Sequence, residues 1–324
     1  MIQKELITKP IEAELQKLRA LIQESLSSDN SLLDEALTHI RKRSGKMMRP
    51  ILTLLMSKCF GQVTEKTFHA AASLELLHTA SLVHDDVVDA STERRGQPSV
   101  NALFNNQVSV LVGDYLLSTS LFHGSLTDDV RVIRLISQLG QRLAEGELLQ
   151  LSNISNDTIS EEVYFNIIRK KTGVLFETCT QVGALSANAS AEQTEWARTI
   201  GEIIGYAFQI KDDIFDYFED ATIGKPTGND MREGKLTLPV IYALNSTQNK
   251  EMNTLAQRVK QGEATQEEIA QLINFTKENG GIEYATQYML QLTEHAYHLL
   301  TKCADESVRI ALTTYIDYVV KRNK

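Results

Sequence analysis

His84-Asp85-Asp86-Val87-Val88-Asp89 and Lys211-Asp212-Asp213-Ile214-Phe215-Asp216 are two copies of one acidic motif, Asp-Asp-x-x-Asp, in apolar sequence with a helical pattern. At about 100° per residue, the first and last aspartates of each copy lie about 40° apart on one helix face. Like charges at this spacing cost a helix roughly 0.2–0.5 kcal/mol per pair in water, and more in a cleft. The motif therefore calls for cations, and Mg²⁺, which joins one or two carboxylates to substrate phosphates, is the ion we expect. Two such faces on opposite sides of a cavity would hold a diphosphate between them.

A single copy would be most simply a solvated acidic helix face, but the residues before each copy are apolar on several sides. A helix of that kind is buried, and buried carboxylates need partners. The two copies are 127 residues apart and share both spacing and setting, which chance explains poorly. An EF-hand requires alternating loop ligands around a central glycine, and neither copy has them. Zinc is disfavoured because no His-x-x-x-His or Cys pair accompanies His78 and His84.

The rest of the chain favours a mostly helical, single-domain protein. The 324 residues are 42% hydrophobic, and only 5 prolines and 17 glycines interrupt them. Few segments alternate with period 2, and no linker or fixed-period repeat is present. We predict an all-α domain over residues 1–324 with about a dozen helices, the main ones at 10–26, 31–43, 50–60, 65–89, 99–122, 129–151, 160–187 and 192–218. Residues 92–98 and 223–230 are predicted to be loops.

Charge and cysteine content narrow the class of function. A net charge of −9 with no dominant basic stripe argues against nucleic acid as a partner. The three cysteines are far apart in sequence and form no disulfide framework or metal-ligand spacing, which fits a reducing, cytoplasmic setting. No run of about 18 uncharged apolar residues predicts a membrane span, and no signal peptide is evident.

Cationic clusters flank both acidic motifs and could bind diphosphates. Arg94-Arg95 follows the first motif, and Lys46 and Arg49 lie at a predicted helix start, where backbone N–H groups and the helix dipole favour anions. Lys170-Lys171-Thr172 precedes the second motif, and Lys225 and Lys235 follow it. His78 lies about 20° from Asp85 on the same stripe, although a lone histidine on an apolar helix is more often a core residue.

These motifs, with Leu76-Leu77-His78, Gly96, Gly173 and Gln209, occur in the order typical of the trans-isoprenyl diphosphate synthases (polyprenyl synthetase family), which the chain resembles from residue 45 to residue 225. The resemblance implies an all-helical fold around a central cavity, Mg²⁺ as cofactor, and a homodimer. It implies head-to-tail condensation of isopentenyl diphosphate onto an allylic diphosphate. The product would be a membrane-seeking polyprenyl diphosphate, which we expect to supply quinone side chains.

The resemblance also assigns roles to matching residues. It implies that Mg²⁺ is held by the motif aspartates, chiefly Asp85, Asp89 and Asp212, with Asp86, Asp213 and Asp216 in support. Contacts to the allylic diphosphate would come from Arg94, Lys171, Thr172, Gln209 and Lys225, to which we add Lys235. The isopentenyl diphosphate pocket would be formed by Lys46, Arg49, His78 and Arg95.

Product length is expected to depend on the residues before the first motif. In the family, bulky aromatic residues at the fourth and fifth positions upstream stop growth at short chains. Here those positions hold Ser81 and Ala80. Small side chains there predict a product between hexaprenyl and decaprenyl, with a tunnel floor set deeper by Leu77, Leu74 or the 131–143 helix. Both residues are also ordinary in helix packing.

Several alternatives remain open at the level of sequence. A shorter-chain farnesyl or geranylgeranyl synthase would differ from a long-chain synthase only in its product. A catalytic subunit of a heteromeric synthase would differ from a homodimeric enzyme only in its partner. A terpene cyclase or head-to-head synthase is disfavoured by the isopentenyl diphosphate residues. A non-catalytic metal-binding or scaffold protein would bind cations without dependence on a diphosphate.

Overall fold

The computed structural model describes residues 2–42, 45–94, 96–154, 159–218 and 227–322, and most of these residues are helical. The helices are α1 (Ile2–Thr8), α2 (Glu12–Ser25), α3 (Ser31–Lys42), α4 (Met48–Phe60), α5 (Glu65–Val88), α6 (Val100–Phe104), α7 (Asn106–Ser125), α8 (Val130–Ile154), α9 (Glu161–Ile168), α10 (Val174–Ser186), α11 (Ala191–Phe215), α12 (Asn229–Arg232), α13 (Leu238–Thr247), α14 (Lys250–Lys260), α15 (Gln266–Glu278), α16 (Gly281–Leu300) and α17 (Glu306–Lys321). A 3-10 turn (Lys9–Ile11) precedes α2, and a π-helical segment (Arg169–Gly173) joins α9 to α10. The two short strands β1 (Glu93–Arg94) and β2 (Gln97–Pro98) pair antiparallel. The predicted all-α fold class is confirmed.

The described residues group into two compact units, each assembled from several segments. Unit 1 comprises Met1–Gly140, Thr178–Arg198 and Lys302–Tyr315. Unit 2 comprises Gln141–Glu177, Thr199–Thr301 and Ile316–Lys324. The single domain expected from the sequence stays a prediction.

In unit 1, α5 is the central helix and packs against α2, α4, α6 and α7. It is apolar on all sides, and its buried residues include Leu74, Leu77 and Val83. Such a helix belongs in the interior of a bundle. α7 lies so close to α5 that a Cβ on Gly113 would come within 2.1 Å of the His84 Nε2. A side chain at this position of α7 would therefore require the His84 ring, just before the first acidic motif, to move.

In unit 2, α13 packs against α9, α15 and α16, while α14 packs against α12 and α15. α15 begins with a capping box, in which Thr265 accepts from the Glu268 N–H and Glu268 accepts from the Thr265 N–H. α11 approaches the π-helical segment closely, since a Cβ on Gly205 would lie 2.6 Å from the Gly173 Cα. This contact determines the position of the second acidic motif relative to Lys171 and Thr172.

The structure differs from the predicted helices at three places. The helix expected over 99–122 is divided at Asn105, whose φ of 84° ends α6, and the Asn105 side chain then caps α7 by accepting from the Val108 N–H at 3.1 Å. The helix expected over 160–187 contains the π-helical segment, which a simple 3.6-residue period does not reveal. The loop expected over 92–98 contains β1 and β2. Of the loop expected over 223–230, residues 223–226 lie outside the described residues, and α12 begins at Asn229.

Within the residues that the structure describes, none of the helices has the length and apolar character needed to cross a membrane.

Candidate active site

The first acidic motif occupies the last turn of α5 in unit 1. Asp85 is half-buried, while Asp89 is exposed and follows the helix, its backbone N–H donating to the Asp85 carbonyl oxygen at 2.8 Å. Asp85 and Asp89 therefore keep the predicted i, i+4 relation. A helix C-terminus carries partial negative charge, which adds to the repulsion between the two carboxylates. This oxygen-only donor pair at a solvent boundary fits Mg²⁺, which is commonly bound by one or two carboxylates together with phosphates.

The middle aspartate of this motif is already engaged in the structure. Asp86 is 2% exposed, and its Oδ1 accepts a hydrogen bond from the Arg94 Nε at 2.6 Å. Asn101 Nδ2 donates to the Asp86 carbonyl oxygen at 3.2 Å. Asp86 thus fixes the β1–β2 ribbon to the end of α5, and the predicted contact between Arg94 and the allylic diphosphate stays a prediction.

A cavity of about 380 Å³ lies beside this motif within unit 1. His78, Asp86 and Arg94 line it, as do Gly45 and Met47, which flank the exposed Lys46. Half-buried Arg49 lies in the first turn of α4. The structure therefore brings His78 and Arg94 to the same cavity as the segment that carries Lys46. Arg19 and Arg41, which the sequence did not single out, add two guanidinium groups to its lining. Arg95 lies outside the described residues.

The second acidic motif ends α11 in unit 2, and its middle aspartate is held by a hydrogen-bond network. Asp213 is 2% exposed, and its two oxygens accept from Gln209 Nε2 at 2.9 Å and from the Tyr164 hydroxyl at 2.5 Å. The Thr172 hydroxyl donates to Gln209 Oε1 at 2.8 Å. Burial raises the pKa of Asp213 well above its usual range, and the nearby Asp230 carboxyl adds to this shift. The structure thus joins the predicted residues Thr172, Gln209 and Asp213, and adds Tyr164.

The outer aspartates of the second motif have different partners. Asp212 Oδ1 accepts from Arg322 Nη2 at 2.5 Å, and the Arg322 guanidinium also lies 4.0 Å from the centre of the Phe208 ring. Asp216 accepts from the backbone N–H groups of Asn229 and Asp230, each at 3.0 Å. Asp216 therefore caps the start of α12, whereas Asp212 forms an ion pair with the Arg322 side chain.

Of the lysines predicted to accompany the second motif, Lys171 and Lys235 are among the described residues. Lys171 Nζ is 2.7 Å from Glu147 Oε1. Lys171 and Lys235 line a cavity of about 140 Å³ in unit 2, which Thr172, Gln209 and Asp213 share. Lys260, only 3% exposed, also lines this cavity. Burial, followed by the charge of Asp216, raises the pKa of Asp230 in the cavity wall to about 7. Lys225 lies outside the described residues.

The residues predicted to control product length lie on α5 in the interior of unit 1. Ala80, Leu77 and Leu74 are 2%, 4% and 1% exposed. Ser81 is half-buried, and its hydroxyl donates to the His78 carbonyl oxygen at 2.9 Å. The small side chains therefore stand one helical turn before the first motif, on the interior side of the helix.

The sequence did not identify Tyr164 and Arg322 as partners of the second acidic motif. Tyr164 is seven residues before Lys171, so helical spacing alone would place the two side chains about 20° apart. Arg322 is 110 residues beyond Asp212, and no local pattern links the two.

The chain is similar in sequence and in structure to polyprenyl synthases. The sequence profile described as "Polyprenyl synthetase" matches residues 30–276. An all-trans-nonaprenyl-diphosphate synthase (geranyl-diphosphate specific) of Rhodobacter capsulatus is 37% identical over 310 residues, which cover 94% of this chain and 94% of that protein. The crystal structure of geranylgeranyl pyrophosphate synthase from Bacteroides thetaiotaomicron is 55% identical, with a TM-score of 0.88 over 99% of this chain and 100% of that one. A polyprenyl synthase from Caulobacter crescentus, complexed with calcium and isoprenyl diphosphate, is 29% identical, with a TM-score of 0.90 over 99% of this chain and 98% of that one.

Proposed function

The chain belongs to the polyprenyl synthetase family, a family of prenyltransferases, and we propose that it is an all-trans polyprenyl diphosphate synthase. It would join isopentenyl diphosphate head-to-tail to an allylic diphosphate in the presence of Mg²⁺, and repeat the step to give a medium- or long-chain product. The product would be membrane-seeking and serve as a quinone side chain, and the enzyme would act in the cytoplasm.

The observation that carries the proposal is the parallel construction of the two acidic motifs. In each, the middle aspartate is 2% exposed and bound by neighbouring side chains, Asp86 by Arg94 and Asp213 by Gln209 and Tyr164. The first aspartates, Asp85 and Asp212, are not buried in this way. A solvated acidic helix face has no need for a buried, hydrogen-bonded carboxylate in the middle of each motif. A metal site does, because its ligands must be held in a fixed orientation.

We assign the metal-binding role chiefly to Asp85, Asp89 and Asp212, with Asp86, Asp213 and Asp216 positioning them. Mg²⁺, when bound, neutralises the negative charge that grows on the diphosphate as the allylic C–O bond ionises. The calcium bound to the Caulobacter crescentus protein supports the proposal that this chain also binds a divalent cation. We propose Mg²⁺ because the ligands are carboxylate oxygens. For Asp212 to bind the metal through Oδ1, the hydrogen bond from Arg322 to that oxygen would have to break.

Cationic side chains would hold the two diphosphates. Lys171, Thr172, Gln209, Lys225 and Lys235 would bind the allylic diphosphate together with Arg94. Lys46, Arg49, His78 and Arg95 would bind isopentenyl diphosphate at the 380 Å³ cavity of unit 1, where Arg19 and Arg41 supply further positive charge. Closing the site to water would protect the carbocation from capture. After the isopentenyl double bond attacks, the released diphosphate would accept the proton, since we assign no side chain as the base.

The preferred product is longer than geranylgeranyl because Ala80 and Ser81 place no bulky side chain before the first motif. The nonaprenyl product in the name of the Rhodobacter capsulatus relative supports this choice. The 55% identity to a geranylgeranyl pyrophosphate synthase makes that shorter product the second candidate.

The proposal is tested by incubating the purified chain with Mg²⁺, farnesyl diphosphate and labelled isopentenyl diphosphate, and sizing the dephosphorylated products. Labelled chains of six to ten isoprene units are the expected result. A product that ends at four units would establish the second candidate. Calorimetry that detects Mg²⁺ binding equally with and without the allylic diphosphate, with no labelled product, would support a metal-binding scaffold instead. If the chain is active only with a second protein, it is the catalytic subunit of a heteromeric synthase.

We further propose that the enzyme is a homodimer that associates through α7. This helix packs one side against α5 and exposes Val110, Leu111, Leu117, Leu121 and Phe122, with Leu111 67% and Phe122 60% exposed. Asp114 and Ser118 are exposed on the same side of the helix and interrupt these apolar residues. Exposed apolar residues that cluster on one side of a helix mark an association surface. A second copy is the preferred occupant because these residues extend along about three turns, as in interfaces between identical subunits.

Light scattering coupled to gel filtration tests the dimer. Leu111→Asp should convert a dimer into a monomer, since a charge would be buried at the interface. Leu290→Asp, which changes a 48% exposed leucine on α16, is the matched control and should remain dimeric. A wild-type protein of monomeric mass, or equal behaviour of the two variants, would contradict this assignment.

A further inference from the structure

Two of the three cysteines, which are 244 positions apart in the sequence, meet in unit 1. Cys59 lies in the last turn of α4 and Cys303 lies just before α17, with their Sγ atoms 2.8 Å apart. A disulfide bond is about 2.0 Å long, so the two sulfurs are less than about 1 Å from bonding distance. The third cysteine, Cys179, is fully buried in α10 and has no such neighbour among the pairs that the described residues form.

The helices that carry the pair are held together at a second point. The Tyr315 hydroxyl, on α17, donates to the Met48 carbonyl oxygen at the start of α4, at 3.1 Å. Met48 is 11 residues before Cys59, and Tyr315 is 12 residues after Cys303, so α4 and this part of α17 run antiparallel. Tyr315 is fully buried. The distance between the two sulfurs is therefore set by a packed helix pair rather than by a loose terminus.

The two thiols differ in exposure and in hydrogen bonding. Cys59 is half-buried, whereas Cys303 is 4% exposed. The Cys59 thiol donates to the Cys303 sulfur, and this hydrogen bond raises the pKa of Cys59 and lowers the pKa of Cys303. The Cys303 thiol lies 3.7 Å from the Asp305 carbonyl oxygen. The more accessible sulfur is thus the one that a small oxidant reaches first, and the buried sulfur lies directly behind it.

We propose that Cys59 and Cys303 form a reversible intramolecular disulfide when the protein meets a small disulfide oxidant such as oxidised glutathione. Cys59 first gives up its thiol proton to solvent, and the resulting thiolate attacks one sulfur of the oxidant, breaks its S–S bond and releases one glutathione thiolate, which takes up a proton from solvent. The Cys303 thiolate then attacks the Cys59 sulfur, forms the protein S–S bond and releases the second glutathione thiolate. Two thiol protons and two electrons pass from the protein to the oxidant, which becomes two molecules of reduced glutathione.

The disulfide would tie the end of α4 to the residues just before α17 and close a loop of about three quarters of the chain, from residue 59 to residue 303. Loops of this size lose much conformational entropy when they are closed in the unfolded state. The oxidised protein should therefore melt at a higher temperature than the reduced protein, by at least about 3 °C.

Peptide mapping gives a direct test. The full-length protein is equilibrated with mixtures of reduced and oxidised glutathione, quenched in acid, alkylated and digested with trypsin. Cleavage after Lys58 and Lys66 releases residues 59–66, and cleavage after Lys302 and Arg309 releases residues 303–309. Under oxidising mixtures these peptides should appear joined, two hydrogens lighter than their sum. Residues 172–198, which contain Cys179, should remain alkylated as the free thiol.

Serine variants distinguish a specific bond between Cys59 and Cys303 from unspecific oxidation of cysteines. Cys59→Ser and Cys303→Ser should abolish the joined peptide and the rise in melting temperature, while Cys179→Ser should preserve both. The inference is overturned if Cys59 and Cys303 both stay alkylated in the most oxidising mixture. Stable glutathione adducts on both cysteines, or a bond between Cys59 residues of two copies, would overturn it as well. A joined peptide without a rise in melting temperature would overturn the stabilising role.

Discussion

The substitution Ala80→Phe should shorten the product, because Ala80 lies five residues before Asp85 on the interior side of α5. At 1.5 Å per residue, this places Ala80 about 7.5 Å from Asp85, the first of the proposed metal ligands. An extended isoprene unit has four backbone bonds and spans about 4.5 Å, scaled from the three bonds of an extended residue. A phenyl ring at Ala80 should therefore stop growth within about two to three units of the diphosphate.

The length of α5 gives the corresponding estimate for the wild-type protein. The helix begins at Glu65, 20 residues before Asp85, which corresponds to about 30 Å. A tunnel along the whole of this distance would accept roughly six to seven isoprene units. The variant should thus lose at least about three units, well beyond the one-unit spread of a product mixture.

Products of the variant and wild type are sized by reversed-phase chromatography after incubation with labelled isopentenyl diphosphate and dephosphorylation. Ala71→Phe is the matched control, because Ala71 is also fully buried but lies about 180° around α5 from Ala80. Overpacking a filled core costs about 1–3 kcal/mol of unfolding free energy, so the control should lose stability without changing product length. Ala80→Phe is expected to lose stability as well, so product length and not stability distinguishes the two variants.

An active Ala80→Phe variant with wild-type products would refute the tunnel along α5. Equal shortening by Ala71→Phe would refute it too, since the effect would then follow from disturbed packing.

Three further predictions follow from unit 1 and unit 2. Tyr164→Phe removes a hydrogen-bond donor to buried Asp213, so it should lower the unfolding free energy by about 1–3 kcal/mol and also lower kcat. The control Tyr284→Phe, which removes a hydroxyl that donates to Glu161, should leave kcat near the wild-type value. Unchanged kcat in both variants would contradict the role of Tyr164 in anchoring Asp213. Gly205→Ala should be destabilised in denaturant melts because its Cβ would lie 2.6 Å from the Gly173 Cα, whereas Gly140→Ala, with nothing within 4 Å, should be neutral or stabilising. Burial and the neighbouring His69 lower the pKa of His123, so the folded state binds a proton less readily than the unfolded state. The contribution of His123 to the unfolding free energy should therefore stay level above pH about 6.5 and fall below it, and it is measured as the difference between wild type and His123→Gln at each pH; a difference that does not change with pH would argue against it.

The two acidic motifs could be predicted from the sequence because each is local. Asp85 and Asp89, or Gln209 and Asp213, are one helical turn apart, so a helical period alone places their side chains together. The same holds for the apolar character of α5, which the sequence shows as apolar residues on every side of the helix. Local spacing therefore accounts for each acidic motif separately.

Contacts between distant segments could not be predicted, because they depend on how helices pack. The pairs Tyr164–Asp213, Arg322–Asp212 and Cys59–Cys303 are 49, 110 and 244 residues apart. The break at Asn105 was missed for a different reason. A non-glycine residue at positive φ is uncommon, and the apolar pattern continues across it. The cysteines are far apart in sequence, and only the antiparallel packing of α4 and α17 brings two of them into contact.

The most direct test of the central claim is the rate of Mg²⁺-dependent incorporation of labelled isopentenyl diphosphate into polyprenyl chains by wild type, Asp85→Ala and Asp212→Ala. The wild type should form chains only with both Mg²⁺ and an allylic diphosphate. Each variant should lose nearly all turnover while keeping its helical circular dichroism spectrum, because both carboxylates are assigned to the metal. Substantial turnover in either folded variant, or a wild type that forms no chains, would contradict the assignment.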